Sequence, residues 1–182
     1  MKNVMFFFFL ITILPVVGAQ QGYDFVEEFG VIKRNWSIVS KDGCYGIIDK
    51  NGREILPPLY DMIEDFDIIK SDWAIIHYNG LQGIVNKNGE IVMLPQYTDI
   101  EGFGIVKNNW SVITKDECFG IIDKKGNIVL PPEYDFIEDF NIISRNLCLV
   151  SFHDSYLLIN RKGKICSEPV EPLKLSLLLR PQ

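Results

Sequence analysis

The chain has 182 residues, of which 47% are hydrophobic and 23% charged, a balance that excludes an intrinsically disordered polypeptide and suits one folded domain. Its formal net charge is −6, so the surface as a whole repels nucleic acid and anionic membranes, while basic proteins, cations and neutral glycans remain open as partners.

The N-terminus opens Met1-Lys2-Asn3 and continues into an almost wholly apolar run from Val4 to Val17, followed by the small pair Gly18-Ala19. This is the pattern of a secretory signal peptide spanning residues 1–19, with cleavage expected after Ala19. An uncleaved single-pass anchor is the alternative, but a bilayer-spanning helix takes roughly 20 apolar residues and the run is shorter. Loss of Lys2 with the leader makes the remainder one unit more negative. A secreted or periplasmic location follows as the expectation, without stable membrane insertion after cleavage.

From residue 20 to residue 170 the chain repeats itself. Tyr23, Tyr60, Tyr97 and Tyr134 recur every 37 residues and divide this region into copies 23–59, 60–96, 97–133 and 134–170. A period of this size held without slippage means that one supersecondary unit is arrayed beside copies of itself. Within each copy, a tyrosine leads to Phe29, Phe66, Phe103 or Phe140, read as a core plug. Short strands are expected at Val31-Ile32-Lys33 and Ile105-Val106-Lys107. Next comes the column Trp36, Trp73, Trp110 and Leu147. It alternates with the small residues Ser37, Ala74, Ser111 and Cys148, and both faces continue apolar, which marks a strand covered on two sides.

The following strand carries Gly46, Gly83 and Gly120 in its interior, where glycine marks a bulge or the close approach of another backbone. It ends in Asp49-Lys50-Asn51-Gly52, Asn86-Lys87-Asn88-Gly89, Asp123-Lys124-Lys125-Gly126 or Asn160-Arg161-Lys162-Gly163, the chemistry of a hairpin turn closing on a left-handed glycine. A return strand through Ile55, Val92, Val129 and Cys166 is expected to stop at Pro57-Pro58, Pro95, Pro131-Pro132 and Pro169, or to expose an edge there. The fold class is therefore all-β: four tandem β-meanders forming an open twisted array, with a small closed β-propeller as the alternative. Residues 171–182, apolar from Leu173 to Leu179, are expected to cap the last copy.

The series Tyr45-Gly46-Ile47-Ile48-Asp49 through Pro57-Pro58-Leu59-Tyr60-Asp61 to Phe66, and Phe119-Gly120-Ile121-Ile122-Asp123 through Pro131-Pro132-Glu133-Tyr134-Asp135 to Phe140, resembles the WG-repeat family over Tyr23 to Pro169. The signature tryptophan is replaced by Tyr45, Gln82, Phe119 or Tyr156, and the fourth copy has Leu157 in place of glycine. The resemblance implies tandem β-repeats, found largely in bacterial proteins, with no general catalytic mechanism.

Chemistry-bearing residues are sparse. His77 and His153 fall in different columns and read as surface histidines, and no zinc, phosphate-loop or nucleophile-elbow motif occurs. No catalytic, cofactor or metal residues are assigned. Cys44, Cys118, Cys148 and Cys166 read as buried free thiols, because the first two lie two whole repeats apart and the others replace small or aliphatic residues. The recurring charged feature is acidic: Asp24, Glu27, Glu28, then Asp61, Glu64, Asp65, then Glu101, then Asp135, Glu138, Asp139. Solvated connectors account for it, with Ca²⁺ binding or docking of a basic partner as alternatives. Tyr78 and Phe152 are the candidates for an exposed aromatic contact with a glycan or protein, and the sequons at Asn35 and Asn109 are by-products of the repeat. The expected function is a non-enzymatic binding or scaffold module. The alternatives are a hydrolase using Glu64 and Asp65, and a Ca²⁺-stabilised array.

Overall fold

The computed structural model describes residues 22–140 and 144–170; the expected signal peptide and capping tail lie outside them. Every regular element among the described residues is a β-strand, and these form four separate antiparallel sheets in chain order. Sheet one contains β1 (Phe25–Val26), β2 (Trp36–Lys41), β3 (Cys44–Asp49) and β4 (Glu54–Tyr60), each hydrogen-bonded to the next. Sheet two repeats this with β5 (Met62–Ile63), β6 (Trp73–Tyr78), β7 (Leu81–Asn86) and β8 (Ile91–Tyr97). Sheet three contains β9 (Asp99–Ile100), β10 (Trp110–Lys115), β11 (Cys118–Asp123) and β12 (Ile128–Tyr134). Sheet four has β13 (Phe136–Ile137), β14 (Leu147–Phe152) and β15 (Ser155–Asn160), and its return segment makes only isolated bridges, Ile159 with Ile165 and Tyr156 with Val170.

Two local expectations need correction. The short strand does not lie at Val31-Ile32-Lys33 or Ile105-Val106-Lys107. There the chain turns, with the Trp36 and Trp110 amides donating to the Lys33 and Lys107 carbonyls at 2.9 and 2.8 Å. Gly30 and Gly104, at φ of 104° and 108°, supply the left-handed backbone that makes the turn possible. The pairing strand comes earlier, directly after Tyr-Asp, where Phe25 faces Ser40 and Val26 faces Val39.

The prolines do not stop the return strand either. β4 runs through Pro57-Pro58 to Tyr60 because it is the edge of its sheet and because it bulges: Tyr45 faces Tyr60 while Ile47 faces Leu56. The missing proline donors fall on the bulge, so no ladder bond is lost. The interior glycine makes room for that bulge. A Cβ on Gly46 would lie 2.7 Å from both the Leu56 carbonyl oxygen and the Pro58 nitrogen, and the same conflict recurs at Gly83 and Gly120.

Turn chemistry is equally regular. Asp49 Oδ1 accepts from the Asn51 and Arg53 amides at 2.8 and 3.0 Å, and Asn86, Asp123 and Asn160 repeat the pattern. The hairpins between the two long strands use two-residue turns with φ positive at both positions, Asp42-Gly43 in sheet one and Asn79-Gly80 in sheet two. Sheet three places Glu117 in the second position at φ 64°, where a side chain is disfavoured. Glu117 is exposed, so Glu117→Gly should raise stability by about 0.5–1 kcal/mol, read as an upward shift of the melting temperature.

Sheets join face to face, each to its neighbour in sequence. Trp36, Ile47 and Leu56 of sheet one pack with Phe66, Ala74, Ile76 and Val85 of sheet two. Trp73, Ile84 and Met93 of sheet two meet Ile100, Ile113 and Ile122 of sheet three. Trp110, Ile121 and Leu130 of sheet three meet Phe140, Cys148, Val150 and Ile159 of sheet four. Each core phenylalanine sets its edge against the tryptophan of the preceding sheet, with centroids 6.0 Å apart for Trp36 and Phe66, 5.9 Å for Trp73 and Phe103, and 5.4 Å for Trp110 and Phe140. The same indole ring also takes a lysine ammonium, from Lys33, Lys70 or Lys107. Among the described residues no hydrophobic cluster joins sheet four to sheet one, so the four units form an open array and not a closed ring.

Candidate binding grooves

The acidic connectors resolve into residues with distinct tasks. Asp24 and Asp61 reach across to the hairpin tips, where their Oδ2 atoms accept from the Asp42 and Gly80 amides at 2.7 and 3.2 Å. Glu27, Glu64, Glu101 and Glu138 occupy one column, and their backbone amides donate to Ile38, Ile75, Val112 and Leu149, which fixes each glutamate at the rim of its sheet. The small residue beneath donates back to the same segment: Ser37 Oγ to Glu27 O and Ser111 Oγ to Glu101 O, both at 2.6 Å, and Cys148 Sγ to Glu138 O.

Side chains in this glutamate column differ in what they meet. Glu64 Oε1 lies 2.7 Å from His77 Nε2, so His77 is half-buried and partnered, not a free surface histidine. Its neighbour Asp65 is exposed. The two acids expected to serve a hydrolase are thus not brought together: one is engaged by an imidazole and the other faces solvent. His153 is exposed and stacks on Phe152 with centroids 4.3 Å apart. Among the described residues no group of three or more His, Cys, Asp and Glu side chains is placed to hold a metal ion.

The exposed-aromatic candidates are both engaged on one side. Tyr78 meets Tyr60 edge-on at 6.5 Å, and Phe152 meets Tyr134 at 5.9 Å. The cysteines are unpaired, but only Cys148 is buried; Cys44 and Cys118 are half-buried and Cys166 is exposed. The reason for Cys166 is its place at the end of the array. The turn glycines Gly89, Gly126 and Gly163 press on Ile55, Val92 and Val129 of the preceding sheet, and no following turn exists for Cys166 among the described residues. Burial, with the charges of Asp139 and Glu138, pushes the Cys148 thiol up to about 12, which removes it as a nucleophile.

Two half-open grooves lie at the junction of sheets three and four. One, about 520 Å³, is lined by Lys107, Asn108, Asn109, Asp139, Phe140 and Arg161. Its cations are already employed: Lys107 sits 4.2 Å above Trp110 and donates to the Arg161 carbonyl, while Arg161 covers Phe140 and donates to the Arg145 carbonyl at 2.7 Å. Burial, with the Arg161 charge, lowers the Lys107 ammonium. The second groove, about 280 Å³, has an apolar lining that includes Val112, Phe119, Phe136 and Ile137, and three acids, Glu101, Glu138 and Asp139, line it too. Burial and the charge of Asp99 hold the Glu101 carboxyl above its usual range. Sequence reading singled out Glu101 and Glu138 only as acids; the signal that points to the groove is the substitution of Phe119 for Gln82 one period earlier.

The turn aspartates set a pH dependence. At Asp49 the backbone hydrogen bond from Arg53 leads in holding the carboxyl below its usual value. At Asp123 burial opposes, but hydrogen bonds from Asn127 and the Lys125 amide prevail and lower it. A depressed folded-state value means that the stabilisation is present above the unfolded value, near about pH 4, and is lost as the pH falls below it. Asparagine performs the same turn at Asn86 and Asn160 without titrating. The double variant D49N/D123N should therefore lose less melting temperature than the parent between about pH 5 and pH 3.

A family model described as WG containing repeat matches residues 45–81, 83–117 and 119–151. No curated protein matches the chain in sequence. Among solved structures it is similar to Kluyveromyces lactis Hsv2 with complete loop 6CD, at 12% identity over 75% of this chain and 46% of that one, with a TM-score of 0.33. A form of KlHsv2 with loop 6CD replaced by a Gly-Ser linker gives 14% identity over 79% and 52%, with a TM-score of 0.33. The N-terminal domain of Nup159 gives 12% identity over 84% and 46%, with a TM-score of 0.33. The chain spans about half the length of these solved proteins. The family matches run from β3 into β14, cover more than half of the chain and begin at or beside the residues of the Gly46, Gly83 and Gly120 column, so that the protein belongs to the WG containing repeat family.

Proposed function

We propose that the chain is a secreted or periplasmic, non-enzymatic binding or scaffold module whose contact surface is the apolar-floored groove between sheets three and four. One observation carries this reading. The turn residues Asp49, Asn86, Asp123 and Asn160 are spent on capping backbone amides, whereas this groove combines exposed Phe136 and an apolar lining with the carboxylate of Glu101, to which no described residue donates a hydrogen bond. A surface that keeps an apolar floor and an unengaged charge gains from being covered.

The hydrolase alternative asks for two carboxylates flanking a substrate in a cleft. Neither Glu64 nor Asp65 lines either groove, and Glu64 is held by His77. The test is retention of a partner from the protein's own envelope or medium on the immobilised exported chain. Retention should be lost in Phe136→Asp, at an exposed position where the preceding unit carries Asp99, with the far-UV circular dichroism spectrum showing that the variant keeps its fold. Hydrolysis of glycan or peptide by the purified protein, abolished in Glu64→Gln, would reverse the assignment. N-terminal sequencing of the exported protein should begin at Gln20.

A further inference from the structure

Two polar contacts present one unit earlier are missing at the groove between sheets three and four. At the junction of sheets two and three, Gln82 Oε1 accepts from the Ile100 amide at 2.8 Å and so bridges the two sheets. In the next unit the corresponding residue is Phe119, which offers no acceptor to Ile137 and instead forms part of the floor. The second difference is electrostatic. Glu64 receives an internal nitrogen from His77, but the residue in that position of the next unit is Thr114, and Glu101 has no hydrogen-bond donor among the described residues. Glu138, which also lines the groove, takes one long bond, 3.3 Å, from the Asp139 amide. Among the described residues no lysine, arginine or histidine lines this groove.

Resting on the binding reading above, the geometry points to a specific occupant: an extended basic segment of a partner protein. One lysine or arginine of that segment lies with its aliphatic stem on Phe119 and Phe136 and its charged head between Glu101 and Glu138. The unit supplies its own precedent, since a nitrogen donor already meets the equivalent carboxylate when His77 is present. Charge complementarity selects a cationic head, and the aromatic floor selects a group with a hydrocarbon stem over a bare metal ion. The net negative charge of the chain favours approach of such a segment from a distance.

The probe is an acetylated, amidated pentapeptide alternating valine with arginine, titrated into the isotope-labelled protein and followed by backbone amide shifts. Saturable shifts are expected at Val112, Phe119, Ile137 and Glu138. The same peptide with citrulline for arginine, equal in shape but uncharged, should bind about tenfold more weakly. Glu101→Gln should weaken the arginine peptide about fivefold, and Phe136→Ala by a similar factor through the floor, whereas Glu64→Gln should leave it unchanged. Equal binding of the citrulline peptide, shifts centred away from this groove, or saturation of the same amides by calcium chloride with no response to peptide would each overturn the assignment. If the peptide fails yet the natural partner is still retained and is released by Phe136→Asp, this inference falls while the binding reading stands.

Discussion

Trp73→Ala should cost about 3–5 kcal/mol and divide the single unfolding transition of the array. Trp73 is 5% exposed and lies at the middle junction, where its ring meets the edge of Phe103 at 5.9 Å and carries the Lys70 ammonium 3.9 Å from its centroid. Removing the indole empties the space between sheets two and three, and Phe103 and Lys70 lose their shared partner. Each sheet packs only on its neighbours, so the loss is concentrated at one junction and cannot be spread through a common core. Urea unfolding followed by far-UV circular dichroism should show a lower midpoint and a broadened or two-step transition. A single transition displaced by less than about 1 kcal/mol would mean that the junction is not held by this residue.

Gly83→Ala is expected to be almost as severe, at about 3 kcal/mol or a fall of roughly 6–12 °C in melting temperature. The added methyl would stand 2.6 Å from both the Met93 carbonyl oxygen and the Pro95 nitrogen, which are backbone atoms with no rotamer to change. Relief requires β8 to move away from β7, which breaks the pairing of Gln82 with Tyr97 and of Ile84 with Met93. Gly102→Ala is the matched control: nothing lies within 4 Å of its Cβ position, and the melting temperature should move by no more than about 1 °C.

Much of this arrangement was legible in the sequence because identical columns must solve identical problems. The interior glycine announced a close backbone approach, and Gly46, Gly83 and Gly120 all meet one. Asp or Asn first and Gly fourth announced a turn closing on a left-handed glycine, and Gly52, Gly89, Gly126 and Gly163 all take it, at φ of 80°, 82°, 84° and 79°. The phenylalanine after the tyrosine was readable as core, though its partner, a tryptophan from the preceding unit, depends on how sheets stack. Proline was read correctly as marking a sheet edge but not as stopping the strand, because a donor-free residue disrupts only a paired position, and Pro57-Pro58 fall on a bulge at that edge. Val31-Ile32-Lys33 misled because its apolar side chains serve a turn, with Gly30 rather than alternation deciding the backbone. The pairing of Glu64 with His77 was hidden for a different reason. Glu64 follows β5 and His77 lies thirteen residues on in β6, and the register that brings them together, Met62 facing His77, is fixed only once the sheet forms.

Two of the three lysines that rest on a tryptophan also reach forward: Lys33 donates to the Lys87 carbonyl and Lys107 to the Arg161 carbonyl, each in the hairpin loop of the following sheet, whereas Lys70 donates to the Ser71 carbonyl of its own unit. Every seam nevertheless repeats one tryptophan–phenylalanine contact, so the rungs share a common kind of joint even where the lysine clasp is missing. Duplication or excision of one whole period in the gene would lengthen or shorten the protein without demanding a new kind of joint, leaving natural selection free to vary the solvent rim of a single rung while the ladder stays intact.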